Sequence, residues 1–162
     1  RTDMPGDTPQ TVSFTFSHEL VRLSFKVHAE NAIVVSACLY GVNYGGTLKK
    51  EKTSEWTELE KAGNAETTPF RGNDIEFVDG TADLFGEILI LPHTDLSEAR
   101  LDLTFKTSDT GPEKTLTYNL SNTDVSEWTA GKSYGYNVIL SGNMDLTVTV
   151  SNWVIHDTVV EW

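Results

Sequence analysis

Four histidines are the first residues that could do chemistry, and they stand apart as His18, His28, His93 and His156. A zinc site draws ligands from short fixed spacings, and neither HxH nor HExxH occurs here. Ser17 and His18 are neighbours, but no GxSxG elbow presents a serine nucleophile to a base. Gly131-Lys132-Ser133 has the tail of a phosphate loop. The upstream glycine that loop needs falls on Ser126, and the residues that follow pattern as a strand instead of a helix. Carboxylates are plentiful, yet a glycosidase pair needs two of them roughly 5 to 9.5 Å apart across a cleft. Asp95, Asp102, Asp109 and Asp124 all fall in turns or on wet strand faces, where a solvated carboxylate is the ordinary state. Without a constellation, the expectation is a non-enzymatic chain with no metal and no cofactor.

Two other residue types carry chemistry of a softer kind. Cys38 is the single cysteine, which rules out an intramolecular disulfide. It sits in the apolar run Ile33-Val34-Val35-Ser36-Ala37-Cys38-Leu39-Tyr40, which predicts a small buried filler and not a nucleophile. Trp56, Trp128, Trp153 and Trp162 could stack on sugar rings, the physical basis of a carbohydrate-binding module. Tryptophans near strand ends also close sandwich cores, and that structural role is the expectation for Trp128 and Trp153. Trp162, the last residue, reads as free or bound to a neighbour.

Charge narrows the partners. Twelve Lys and Arg against 24 Asp and Glu give a net charge of -12. Such a field repels phosphate backbones and anionic lipid, so nucleic acid is excluded as an expected partner. The acidity is spread evenly and reads mainly as a solvated surface. No apolar run approaches the roughly 20 residues that span a bilayer. The polar opening Arg1-Thr2-Asp3-Met4-Pro5-Gly6 does not resemble an export signal, and a start at Arg1 reads as a processed or cloned product.

The elements that must position these residues have a period of two. Val21, Leu23, Phe25 and Val27 alternate with Arg22, Ser24, Lys26 and His28, which gives a strand one dry and one wet face. The same pattern recurs at Leu101/Leu103/Phe105, Leu116/Tyr118/Leu120, Tyr134/Tyr136/Val138/Leu140 and Leu146/Val148/Val150. Phe85 to Pro92 is more continuously apolar and reads as a central strand that Pro92 ends. Turns are expected at Glu30-Asn31 (a tight hairpin), Gly45-Gly46, Asp79-Gly80, Asp109 to Pro112 and Ser141-Gly142-Asn143. The stretch from about Lys49 to Asn73 reads as a long, partly ordered loop. Within it, Ser54 to Lys61 could make two helical turns from a Ser54 cap and the i,i+3 pair Glu58 and Lys61. Ser121 to Thr129 could make one more turn. The expected architecture is an all-β sandwich or barrel of about seven or more strands with little helix: residues 1–10 a flexible lead, residues 11–162 a single domain.

Several segments together resemble the fimbrillin family of Bacteroidetes, subunits and adhesins of cell-surface fimbriae. Phe16-Ser17-His18-Glu19-Leu20-Val21-Arg22-Leu23-Ser24-Phe25 is similar to the family's Phe-x-His-x-Leu-x-x-Leu-x-Phe block. Leu89-Ile90-Leu91-Pro92 resembles its apolar strand ending in proline, with His93 where glutamine is common. Trp128-Thr129-Ala130-Gly131-Lys132-Ser133-Tyr134-Gly135-Tyr136 is similar to its Trp-x-Ala-Gly-x-x-Tyr-x-Tyr block, and Leu146 to Trp153 resembles its closing strand. The resemblance covers the family's second half and implies an antiparallel Greek-key, transthyretin-like sandwich. The aromatic-proline segments of the family's usual first domain do not occur in these residues, which reads as a fragment or proteolytic product, or as a reduced member. The Trp128 to Tyr136 block also reads physically as scaffold: Gly131 turns the chain, Tyr134 and Tyr136 share a face, and Trp128 lies over the sandwich end.

The resemblance implies export to the cell surface and outer membrane as a lipoprotein, and assembly with other fimbrial subunits or itself by strand insertion. It leaves a surface receptor or glycan as a further partner. Strand insertion supplies main-chain bonds to an open edge while alternate side chains fill pockets. The candidate donor is the tail Val154 to Trp162, with Thr158, Val160 and Trp162 on one face and Val159 and Glu161 on the other. The same tail also reads as the last strand of its own sheet.

Overall fold

In the computed structural model, residues 18–50 and 53–154 are described. Ten strands run through them: β1 (Val21–Ala29), β2 (Ile33–Tyr40), β3 (Val42–Lys50), β4 (Ser54–Ala62), β5 (Phe70–Asn73), β6 (Thr81–Ile90), β7 (Arg100–Lys106), β8 (Lys114–Asn119), β9 (Lys132–Leu140) and β10 (Leu146–Val154). One four-stranded sheet has the order β10-β9-β1-β6, and a second has the order β5-β2-β7-β8. β3 and β4 form a separate two-stranded hairpin. The protein is an all-β sandwich, as the period of two requires.

The alternation sorts the side chains as expected. Val21, Leu23, Phe25 and Val27 are buried, while Arg22, Lys26 and His28 are exposed. From the facing sheet come Leu39, Leu101, Leu103 and Phe105, and from β9 come Tyr134, Tyr136, Val138 and Leu140. Phe25 stacks on Tyr136 with centroids 4.6 Å apart and meets the Phe85 ring edge-on at 5.5 Å. Cys38 is buried in β2, as its apolar surroundings predict.

Several expectations fail, each because tertiary contacts override local pattern. Glu30-Asn31 is not a hairpin: β1 pairs with β6 and β9, β2 pairs with β5 and β7, and the turn carries the chain between sheets. β1 and β9 run parallel, which corrects a purely antiparallel sandwich. They are far apart in sequence, so no hairpin dictates their direction. Gly45-Gly46 lies inside β3, where the register slips on both sides of Gly45; the glycines serve bulges and not a turn. Ser54 to Lys61 is strand β4, not helix, because Trp56 pairs with Leu48 and Thr57 with Thr47 across the hairpin. Glu58 adopts a left-handed φ of 52°, and Lys61 pairs with Glu98 instead of closing a helical turn. The predicted loop from Lys49 to Asn73 is thus mostly strand.

β6 is an edge strand and not a central one, and it ends at Ile90, before Pro92. It looks central in sequence because both its faces meet apolar groups: Phe85 packs inward, and Leu89 points across a groove toward the β3–β4 hairpin. Turns are present at the expected Asp79-Gly80, Asp109 to Pro112 and Ser141-Gly142-Asn143, and backbone hydrogen bonds close them between Val78 and Thr81, Ser108 and Gly111, and Ser141 and Met144. Asp79 and Gly80 both have positive φ, the geometry that suits a two-residue hairpin. In place of the helical turn expected within Ser121 to Thr129, the structure has a short 3-10 turn over Leu120–Asn122, capped by Asn119 and starting one residue earlier.

Candidate functional site

A sandwich of two four-stranded sheets has four edges, and whether each is covered decides where another chain can add a strand. On one side the edges β5 and β6 approach each other directly. A Cβ on Gly72 of β5 would overlap the Leu84 carbonyl of β6, so only glycine permits this spacing. Tyr44 of the hairpin adds a ring edge to Phe70 of β5, centroids 6.0 Å apart. The β6 edge is further interrupted by a bulge, where the β1 register shifts between Ser24 and Lys26 and Gly86 takes a φ of 70°. This side is closed.

With β6 beside β5, the sheet orders put β10 and β8 on the opposite side. Among the described residues, β8 pairs with β7 alone and β10 with β9 alone. Their inward residues Leu116, Tyr118, Leu146 and Val150 pack on the core yet stay only partly buried. Burial raises the Tyr118 phenol pKa. Two unpaired strand edges flanking incompletely covered apolar side chains are what an added strand requires. The open side is the candidate site.

The predicted donor residues Thr158, Val159, Val160 and Trp162 lie outside the described residues. Val154, first in that tail, belongs to β10 and pairs with Lys132 of β9.

The Trp128 to Tyr136 block is scaffold, and its side chains hold one end of the core. Trp128 is buried, and its indole Nε1–H donates to the Tyr136 hydroxyl at 2.7 Å. The Tyr134 hydroxyl accepts from the Thr129 backbone N–H at 3.0 Å. Gly131, at φ 75°, turns the chain so that its N–H reaches the Leu20 carbonyl. Burial pushes the Tyr136 phenol far above its ordinary pKa, so it stays a neutral partner. A tryptophan this covered offers no platform to a sugar.

Trp56 is different. It is half-buried and lines a groove of about 390 Å³ with Leu20, Leu48 and Leu89, rimmed by Glu19 and Arg22. Leu89 is 62% exposed there. Glu19 ties the hairpin tip to the sheet through Lys50 at 3.0 Å and Ser54 at 3.2 Å, and the Lys50 ammonium lowers its pKa. Reading Trp56 as part of a loop concealed this groove; the alternation of Trp56 with its neighbours and the paired Leu48 were the available signals.

His93 was read only as a lone histidine after a proline, and the structure gives it a structural task. Among the described residues no group of three or more His, Cys, Asp or Glu converges as a metal site. His93 instead forms a backbone bridge with Trp128 in both directions, at 2.9 and 2.7 Å, and its ring packs edge-on to the indole. A residue with one donor and one acceptor at the position where the resemblance expects glutamine was the signal for that task.

Comparison with known proteins agrees with this architecture. The fimbrillin-like family matches residues 2–153. No curated protein matches the chain. A proposed cell adhesion protein from Bacteroides uniformis, known from its crystal structure, is similar with a TM-score of 0.53 at 15% identity, over 86% of this chain and 52% of that one. Another from Bacteroides ovatus has a TM-score of 0.43 at 14% identity, over 87% of this chain and 47% of that one. The chain spans about half the length of these solved structures, and the first of them shows a shared fold.

Proposed function

The chain belongs to the fimbrillin-like family, and from that premise we propose that it is a structural or adhesive subunit of a bacterial cell-surface fimbria. It acts at the cell surface and joins other subunits, or copies of itself, through β-strand edges. The observation that carries this reading is the asymmetry of the sandwich. One side is sealed by Gly72 and a bulged β6, while β8 and β10 leave backbone groups and part-covered apolar side chains available. The alternating tail Thr158, Val159, Val160 and Trp162 is the strand offered to a neighbour. Deleting Val159 to Trp162 from the full-length subunit is expected to abolish self-assembly, followed by light scattering and electron microscopy. Assembly that continues unchanged would rule out the tail as donor.

A second reading has an observation of its own. The Trp56 groove presents an aromatic ring and three leucines beside Glu19 and Arg22, a combination that suits a sugar's apolar face and its hydroxyls. On this reading the protein binds a surface glycan. Trp56→Ala is then expected to weaken glycan binding by about tenfold, roughly 1.4 kcal/mol. A glycan array with no signal for the unmodified protein would remove this reading and leave the fimbrial one standing.

A further inference from the structure

The β3–β4 hairpin is fastened to the sandwich at its base and at its tip, by unlike chemistry. At the tip the fastening is the Glu19 carboxylate with Lys50 and Ser54. At the base it is a histidine. The Asn43 backbone N–H of β3 donates to His93 Nε2 at 2.7 Å, and His93 Nδ1 lies 2.8 Å from the Leu91 carbonyl. A carbonyl can only accept, so Nδ1 carries the proton and Nε2 is left as the acceptor for Asn43. Val42 and Ala62, paired across the base, are buried beside this contact.

Protonation at Nε2 converts the acceptor into a donor facing another donor. The Asn43 bond is then lost and an N–H is left without its acceptor in a partly buried position, an unfavourable arrangement. Among the described residues, neither the hydrogen bonds of the ring nor its charge interactions involve a carboxylate, and Asp95, two residues on, is exposed and bonds to Ser97. From β3 the group facing the ring is the neutral Asn43 amide. From β4 it is the Lys61 ammonium, which opposes a second cation and is itself paired with Glu98. From the loop before β9 it is the Trp128 indole, which bonds to the neutral Tyr136 hydroxyl, and the neighbouring Glu127 is exposed at the Thr129 hydroxyl. From the end of β6 it is the Leu91 carbonyl.

We propose that His93 is a pH-sensitive latch on the β3–β4 hairpin, releasing the hairpin base on mild acidification while the sandwich stays folded. Release exposes Val42 and Ala62 and frees the hairpin to move about its Glu19 tether.

The direction follows from where the proton binds more easily. Burial lowers the pKa of latched His93 from its ordinary 6.5, and release restores the ordinary value. The closed form is therefore at full strength above pH 6.5. It weakens as pH falls below 6.5, until the latched histidine itself protonates. Each pH unit in that window multiplies the released population by about ten. Glu19 has a lowered pKa and stays ionised throughout, so the tip remains tied.

Hydrogen exchange on the whole chain reads this directly. After correction for intrinsic rates, the amides of Val42 to Tyr44 are expected to exchange faster at pH 5.5 than at pH 7.5, by up to about tenfold. Those of β1 and β7 are expected to hold. In His93→Gln, whose amide keeps one donor and one acceptor without titrating, the acceleration is expected to vanish. Equal protection of the hairpin at both pH values overturns the latch, as does acceleration that persists in His93→Gln. Ring nitrogen NMR of the unmodified protein tests it independently of any variant. The Nδ1–H tautomer with a pKa below 6.5 supports the latch, and a pKa at or above 6.5 refutes it.

Discussion

Replacing Trp128 with alanine is expected to destabilise the protein by about 3–5 kcal/mol, the usual cost of emptying a large buried aromatic site. Trp128 is 1% exposed, so nearly the whole side chain would become cavity. Two partners would also be affected. Tyr136 would lose the indole N–H that its hydroxyl accepts, and His93 the ring it packs against, 5.2 Å away. Those losses add to the cavity, because a buried oxygen without its donor is itself unfavourable. Domains of this kind hold roughly 5–15 kcal/mol in all, so the variant would sit near the edge of folding. Urea denaturation checks the size, and Trp128→Phe separates the contributions by keeping an aromatic ring without the donor. A loss below about 1 kcal/mol for Trp128→Ala would mean that the tryptophan lies on the sandwich end without closing it.

The second large effect belongs to the sealed side. Gly72→Ala is expected to cost about 2–3 kcal/mol, since a methyl group there overlaps the Leu84 carbonyl and the obstacle is backbone that cannot rotate away. The stability loss is measurable by thermal or urea unfolding. The more telling result concerns the edges. Pushing β5 from β6 removes the cover from a second pair of edges, so the variant is expected to self-associate at concentrations where the unmodified chain does not. Gly72→Ala with unchanged stability and unchanged association would show that β5 and β6 do not depend on this contact. Gly63→Ala is a suitable control, because nothing lies within 4 Å of a Cβ there and its φ lies outside the left-handed region.

Much of this was legible in the residues. The alternation of Val21 to Val27, of Leu101 to Phe105 and of Tyr134 to Leu140 set both the strand class and the faces that would be buried, because side chains in a strand must point to opposite sides. The Trp128 to Tyr136 block announced its role as scaffold through one turn-forming glycine and two tyrosines of the same parity. Cys38 announced its burial through its neighbours. These features are local: each depends on spacing within a few residues.

What escaped was everything that depends on who pairs with whom. Ser54 to Lys61 carries residues that suit a helix, and only its partner β3 makes it a strand. The apolar run at β6 suits a central strand, yet β6 is an edge whose Leu89 is exposed in the groove beside the hairpin. The spacing around His93 says nothing of its ring's partners: its two hydrogen bonds come from Leu91 nearby and Asn43 on another element, and its ring contact from Trp128.

The sequence by itself therefore determined that this protein is a β-sandwich of fimbrillin-like character, because period and motif are properties of a chain before it folds. Only the tertiary structure decided which edges are sealed and which, among the described residues, have no partner strand. Register, parallel pairing and the approach of Gly72 to Leu84 join residues distant along the chain, and nothing in their spacing records that they will meet.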